Sequence, residues 1–551
     1  MEKITILFSN GEQREFDWGV SLHEVAVKMT PLYTSPIVAA EVDFVLRDLT
    51  FKLEKDCKVT FLDVSTERGN KVYQRSLAFV MIAAAAELFP GKQVTVEHSL
   101  GKGLYCEMHL GRAVTQADID QLKQKMNEIV AENRPLARRV MPVDQAISLF
   151  EAAGEAEKVK LLMQWKQPDV AIHTCGEVAD YVHGVMAPNA GCLRLFNLRL
   201  YPPGIILYFP EQNNPDKLPE FVSQPKLAKV FLEAERWGEI LQCSYVATLN
   251  DYITQHKIAD IMRVAEALHE KKLAEIADFI SIHRKQVRVI LIAGPSSSGK
   301  TTFAQRLGIQ LRVNGIRPVP ISLDDYFVDR DHTPKDEYGE FDFESIDAID
   351  IPLFNQQLLQ LLDGETVEVP TFNFQLGKRE DKGHLVSISK DQPLIIEGIH
   401  GLNEHLTKDV PREHKVKVYV SALTQLSIDN HNRIPTTDAR LIRRIVRDSQ
   451  FRGHDALTTL RLWPSVRRGE ERNIFPFQEE ADAMFNSALI YELAVLKKCA
   501  EPLLAAVPTD QPEYTEAVRL LDFLSYFESI DEDDIPLNSI LREFIGKSCF
   551  Q

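Results

Sequence analysis

Residues 288–303, RVILIAGPSSSGKTTF, leave this chain few folds to choose from. Val287 to Ala293 is a short apolar run rich in β-branched residues, the pattern of a parallel strand buried on both faces. Gly294 to Thr301 completes the spacing GxxxxGK[ST], and an amphipathic helix follows to about Val313. Glycines let the backbone wrap around phosphates and turn its N–H groups inward. Lys300 would neutralise β- and γ-phosphates, and the Thr301 hydroxyl would ligate Mg²⁺. The candidate nucleotide-binding residues are therefore Gly294, Pro295, Ser296, Ser297, Ser298, Gly299, Lys300, Thr301 and Thr302. Strand, glycine loop and helix in this order predict a doubly wound, largely parallel α/β sheet.

A chain of 551 residues is too long for one core, and about 100–200 residues per domain predicts three or four domains. Lys and Arg number 63 against 80 Asp and Glu, a net charge of −17. That balance speaks against a broad nucleic-acid or anionic-membrane surface, while local RNA contact by the N-terminal half and homo-oligomerisation stay open. The seven cysteines form no CxxC pair, which fits reduced thiols in a cytoplasmic protein. MEKITILFSNGEQ lacks the apolar core of a signal peptide. Leu77 to Phe89 is interrupted by Glu87 and is shorter than the ~20 residues of a membrane span, so it reads as a buried helix.

Before the glycine loop the pattern changes twice. Lys3 to Phe8 alternates like a strand, Asn10-Gly11 signals a hairpin, and Arg14 to Trp18 is the return strand. A helix over Ser21 to Met29 carries Ser21 and Glu24 at capping-box spacing, and further strands fit Ile37 to Val45 and Val59 to Leu62. With GVSLHEVA after the hairpin, residues 1–65 resemble the TGS domain, a ubiquitin-like β-grasp module.

Residues 70–245 mix helices (Ser76 to Leu88, Gln116 to Glu132) with strands (Gln93 to Ser99, Tyr105 to Leu110). Arg75-Ser76-Leu77-Ala78-Phe79, VEHSLGKGLYCEM and HTCGEVADYVHGVMAPN resemble the α+β editing domain of threonyl-tRNA synthetases. The resemblance implies HxxxH in the first stretch and a Cys and a His in the last. Here the equivalent positions are Arg75, Phe79, Val182 and Met186. Val, Met and Phe hold neither a proton nor a hard cation at neutral pH, so the fold is expected without the editing chemistry. His98, His109, His173 and His183 match no zinc spacing and read as structural or surface residues. Residues 250–285 read as a helical linker.

After the glycine loop, Arg317 to Leu323 reads as a strand ending in Asp324-Asp325-Tyr326-Phe327, at the edge where ligands meet an open α/β sheet. Pro393 to Ile396 is another buried strand, ending in Glu397-Gly398. No guanine-reading NKxD motif follows. These stretches resemble uridine kinases and the related phosphoribulokinases, which implies a domain over residues 286–505. The resemblance makes Asp324 the catalytic base, Tyr326 part of the acceptor cluster and Glu344 the sugar-binding acid. Phe372 and Gly377 stand where the family has a base-reading Tyr and His. Glu397 would join Thr301 on Mg²⁺.

Asp438 to His454 resembles the family's lid, RRxxRD followed by RGR. Arg440, Arg443, Arg444 and Arg447 lie three and four apart, on adjoining faces of one helix. Arg444, Arg447 and Arg452 are the candidates for phosphate contact, Arg443 reads as structural, and His454 replaces the last lid Arg. Residues 463–471 depart from short uridine kinases, and 506–551 read as a C-terminal helical segment. The whole resembles multidomain bacterial uridine kinase-related proteins. It implies ATP- and Mg²⁺-dependent transfer to a small acceptor, a nucleoside or similar polyol. A phosphoribulokinase-like sugar-phosphate kinase and an RNA- or nucleotide-sensing regulator are the alternatives.

With Arg75, Phe79, Val182 and Met186 in place of four polar groups, the protein should not hydrolyse mischarged tRNA. Catalysed release of serine from Ser-tRNA would overturn that expectation.

Overall fold

A computed structural model describes residues 2–29, 33, 35–337, 339–373 and 376–550; Phe374 and Gln375 of the acceptor segment lie outside the described residues. Among the described residues no helix is long and apolar enough to cross a membrane.

Lys3–Phe8 and Gln13–Asp17 pair antiparallel around the Asn10-Gly11 turn, where Gly11 takes φ +84°. Lys3–Phe8 also runs parallel to Cys57–Leu62 inside a five-stranded sheet. The helix Leu22–Met29 starts at a reciprocal cap: the Ser21 N–H donates to Glu24 at 2.9 Å and the Glu24 N–H donates to Ser21 Oγ at 3.2 Å.

The helix Glu67–Leu88 starts earlier than periodicity predicts, because Thr66 caps it by accepting the Gly69 N–H. It packs on an antiparallel sheet ordered Asn197–Tyr201, Gly204–Tyr208, Gly103–Met108, Val94–Leu100. Phe79, Val182 and Met186 are buried in one apolar cluster. Arg75 donates to the Val185 carbonyl at 2.6 Å.

The stretch expected to link the halves is the helix Ile258–Ile282, and it is core. Ile261, Ala265, Leu273, Ala277 and Ile280, at helical spacing, are buried in the same cluster as Phe303, Leu307 and Leu311 of the helix Lys300–Val313. Arg306 on that second helix reaches back to Glu270 at 2.7 Å.

The C-terminal sheet is all parallel, in the order Val319–Ser322, Leu394–Glu397, Val289–Ala293, Lys415–Ser421, Ala483–Asn486. The central strand has both neighbours along its length and every residue buried, which explains its unbroken apolar pattern. The last strand, Ala483–Asn486, was not legible in advance: four residues at a sheet edge carry little periodicity. Residues beyond 505 are not an appendage. The helix Tyr514–Leu524 packs on Glu492–Ala505, and Leu520, Phe523, Ile540, Leu541 and Phe544 belong to the main core.

A buried polar network joins the two halves. Lys158, 1% exposed, donates to Asn430 at 2.7 Å and lies 3.1 Å from Asp180 and 4.0 Å from Asp429. His431 meets Asp180 at 2.6 Å, and the Asn432 amide donates to the Tyr181 carbonyl at 2.9 Å. Removing one partner of a buried pair strands the other charge, at a cost of about 3–5 kcal/mol. Lys158→Ala should therefore lower the urea midpoint of the full chain markedly, and adding Asp180→Asn should recover part of the loss. A midpoint equal to that of the parent protein would remove this network from the interface.

Candidate active site

The loop 294–299 leaves the central strand at its C-terminal end and enters the helix Lys300–Val313. Two positions demand glycine. A Cβ on Gly294 would lie 1.9 Å from the Val420 carbonyl oxygen, so only glycine lets the loop pack on the neighbouring strand. Gly299 precedes the helix with φ +83°, in the left-handed region. Lys300 folds back along the loop and donates to the Pro295 carbonyl at 3.1 Å.

Two strand ends bring oxygen donors to the helix start. Glu397 ends Leu394–Glu397, next to Val319–Ser322. Its carboxylate accepts from Ser322 Oγ at 3.1 Å and from Thr301 Oγ1 at 3.4 Å. Burial first, and then Asp324, push the Glu397 carboxyl up to about 7, against the pull of Lys300. Thr301 and Glu397 are a hard-oxygen pair suited to Mg²⁺.

Asp324 and Asp325 separate in role. Asp325 accepts the Phe372 N–H at 3.2 Å and so anchors the short strand Phe372–Asn373. Asp324 faces the cleft, where its charge acts on Glu397, Glu344 and Arg452. Tyr326 needs a correction as an acceptor residue. It is 1% exposed, packs edge-on against Phe354 at 5.1 Å and donates its hydroxyl to Gln357 at 2.8 Å. The tight turn after Ser322 drives that ring into the core. Phe372 is partly buried, its ring 5.7 Å from that of Phe327.

Glu344 lies in the cleft, and its Oε2 is buried without a hydrogen-bond partner. Burial and the nearby Glu470 push it up to about 7, while Arg444 and Lys300 oppose them. It seats against Gly469, where a Cβ would come within 2.3 Å of its own Cβ.

The helix Thr436–Arg447 carries the arginines, and they divide into two sets. Arg440 and Arg443 are structural: Arg440 meets both oxygens of Glu470 at 2.5 and 2.6 Å, and Arg443 meets Glu492 at 2.5 Å. Arg444, Arg447 and Arg452 converge on the buried Asp448, at 3.2, 3.0 and 3.7 Å. Arg444 also donates to Ser296 Oγ at 2.8 Å, which ties this set to the glycine loop. A π-helical turn over Asp448–Arg452 brings Arg452 back to the same acid.

Glu470 was missed by sequence reasoning. It is fully buried and accepts the Ser296 N–H at 2.9 Å. The available signal was charge arithmetic: an arginine on the buried face of a helix needs a carboxylate, and Arg467-Arg468-Gly469-Glu470 offers one beside a glycine.

Comparison with known proteins finds different relatives for the two ends of the chain. Residues 289–492 match the Phosphoribulokinase / Uridine kinase family. The N-terminal part matches threonine–tRNA ligases. That of Francisella tularensis subsp. novicida is 30% identical over 195 residues, 35% of this chain and 31% of the ligase. That of Janthinobacterium sp. is 26% identical over 277 residues, 50% of this chain and 40% of the ligase. The chain thus spans well under half the length of these relatives. A solved structure described as a "possible uridine kinase" from Bacillus stearothermophilus is 22% identical, with a TM-score of 0.24, covering 36% of this chain and 89% of that one. Residues 289–492 are a P-loop kinase domain of the phosphoribulokinase/uridine kinase family, joined in one chain to an N-terminal part homologous to threonine–tRNA ligases.

Proposed function

We propose that the cleft beside Gly294–Thr302 transfers the terminal phosphoryl group of ATP, with Mg²⁺, to the 5′-hydroxyl of a nucleoside. One observation carries this reading: Asp324, Glu344 and Glu397 share a cleft with Lys300 and the three arginines held by Asp448. Three carboxylates with two displaced upward need a cation and hydroxyl donors, and the basic groups suit a polyphosphate.

In this reading the N–H groups of the loop and Lys300 bind the phosphates, and Thr301 and Glu397 hold the metal. Bound Mg²⁺ supplies charge neutralisation on the phosphates. Asp324 takes the proton of the attacking hydroxyl. Glu344 accepts hydrogen bonds from two adjacent ribose hydroxyls. Arg444, Arg447 and Arg452 stabilise charge on the group in transfer, held in place by Asp448. Phe372 offers a stacking face to the base.

A second reading, a phosphorylated sugar as acceptor, is favoured by Arg330. Its guanidinium packs over Gly377, where a Cβ would lie 2.8 Å from Arg330 Nε. An arginine there, in place of a base-reading histidine, suits an anionic group.

Asp324→Asn should lower kcat by about 10²–10⁴, the scale of a lost general base, with ATP affinity unchanged. A larger loss in Asp325→Asn would move the base by one residue.

Because Gly377 stands where the family has its base-reading histidine, at least two ribonucleosides with different bases should show comparable kcat/KM. Their 2′-deoxy forms should be about 10–150-fold worse, the cost of one hydrogen bond to a charged acceptor. Turnover confined to a phosphorylated sugar would replace this reading with the second.

A further inference from the structure

Two carboxylates, not one, accept N–H groups of the phosphate-binding segment. Glu470 is the first, and it is immobilised by Arg440 and by Arg467 at 3.2 Å. The second is Glu543, from the C-terminal segment. It accepts the Thr302 N–H at 3.1 Å. Thr302 is the third residue of the helix Lys300–Val313, so its N–H has no carbonyl partner within the helix. Free N–H groups at such a helix start are the donors a phosphate uses.

The backbone that presents Glu543 is rigid. Ile540, Leu541 and Phe544 are fully buried. Arg542 is 2% exposed and donates to the Glu532 and Ile535 carbonyls at 2.8 and 2.5 Å. Arg443 stacks on the Phe544 ring at 4.9 Å. Ile540 covers the end of the glycine loop: a Cβ on Gly299 would lie 2.7 Å from its Cδ1.

The side chain of Glu543 is held far less firmly than its backbone. It is only partly buried, and among the described residues no Lys, Arg or His forms an ion pair with it. It also lies near enough to Glu397 to help push that carboxyl up. Among the described residues its hydrogen bond is to the helix start, and a second anion lies beside it.

We infer that Glu543 is an internal competitor of the nucleotide: its carboxylate occupies a phosphate-oxygen position on Thr302, and a bound polyphosphate displaces it. The side chain swings out while the segment stays docked. The empty loop is thereby kept satisfied, and nucleotide affinity is held below what the cradle alone would give. The inference rests on the P-loop as the phosphate site.

The test uses the full chain and calorimetric titration with ATP and with inorganic tripolyphosphate, which has no base or sugar. Glu543→Gln keeps the shape and removes the charge, and Glu543→Ala removes both. Each should bind both probes about 3–30-fold more tightly than the parent, the scale of one charge at a helix terminus. The thermal midpoint without ligand should stay level or fall. Should the alanine variant not fold, the glutamine variant decides alone. Binding no tighter than the parent, or a gain with ATP but none with tripolyphosphate, overturns the inference. A parent protein that binds neither probe brings down the P-loop reading as well, so the two failures are told apart.

Discussion

Ser296 is gripped at both of its backbone groups by one buried ion pair. Its N–H donates to Glu470 at 2.9 Å, and its carbonyl accepts from Arg440 at 3.2 Å. A phosphate loop must keep its N–H groups turned inward without using them up in its own secondary structure, so it needs outside support. Burying two charges is costly unless each finds further hydrogen bonds, and here the loop backbone provides them. The geometry of the cleft follows from this grip. Arg440 sets the rotation of its helix and so places Arg444 on Ser296. Glu470 sets the helix Ala456–Asn473, which puts Gly469 under Glu344.

What was legible in the sequence was what is local. The glycine loop, the two acid-ended strands and the arginine spacing each lie within a few residues, so short-range pattern finds them. The N-terminal hairpin and its capped helix are local in the same sense. What was not legible depends on distant partners. Tyr326 and Asp324 stand in one short cluster, yet one points into the core and the other into the cleft, because a tight turn separates them. The helix Ile258–Ile282 reads as a polar linker by composition, while its narrow apolar stripe is what packs. Glu470 and Glu543 lie 174 and 241 residues from the backbone groups they cap, and no periodicity announces such pairs.

Charge is arranged in the cleft by opposition. Asp448 gathers three arginines that would otherwise repel one another, and Arg447, with burial, already pulls Arg452 down to about 10. Across from them, Glu344 and Glu397 are pushed up by lost hydration. Both sets are less comfortable alone than with a ligand of matching charge between them, which is the sense in which such a site is preorganised.

The core shared by the two halves has a consequence for how the chain can be divided. Ala146, Phe150 and Ile172 lie in the same apolar cluster as Ile290, Ile442 and Phe544. A recombination break anywhere between residues 150 and 290 would therefore bare an oily wall on both products. Two parts that match different relatives are packed around one core, so neither can be cut away without exposing what the other covers.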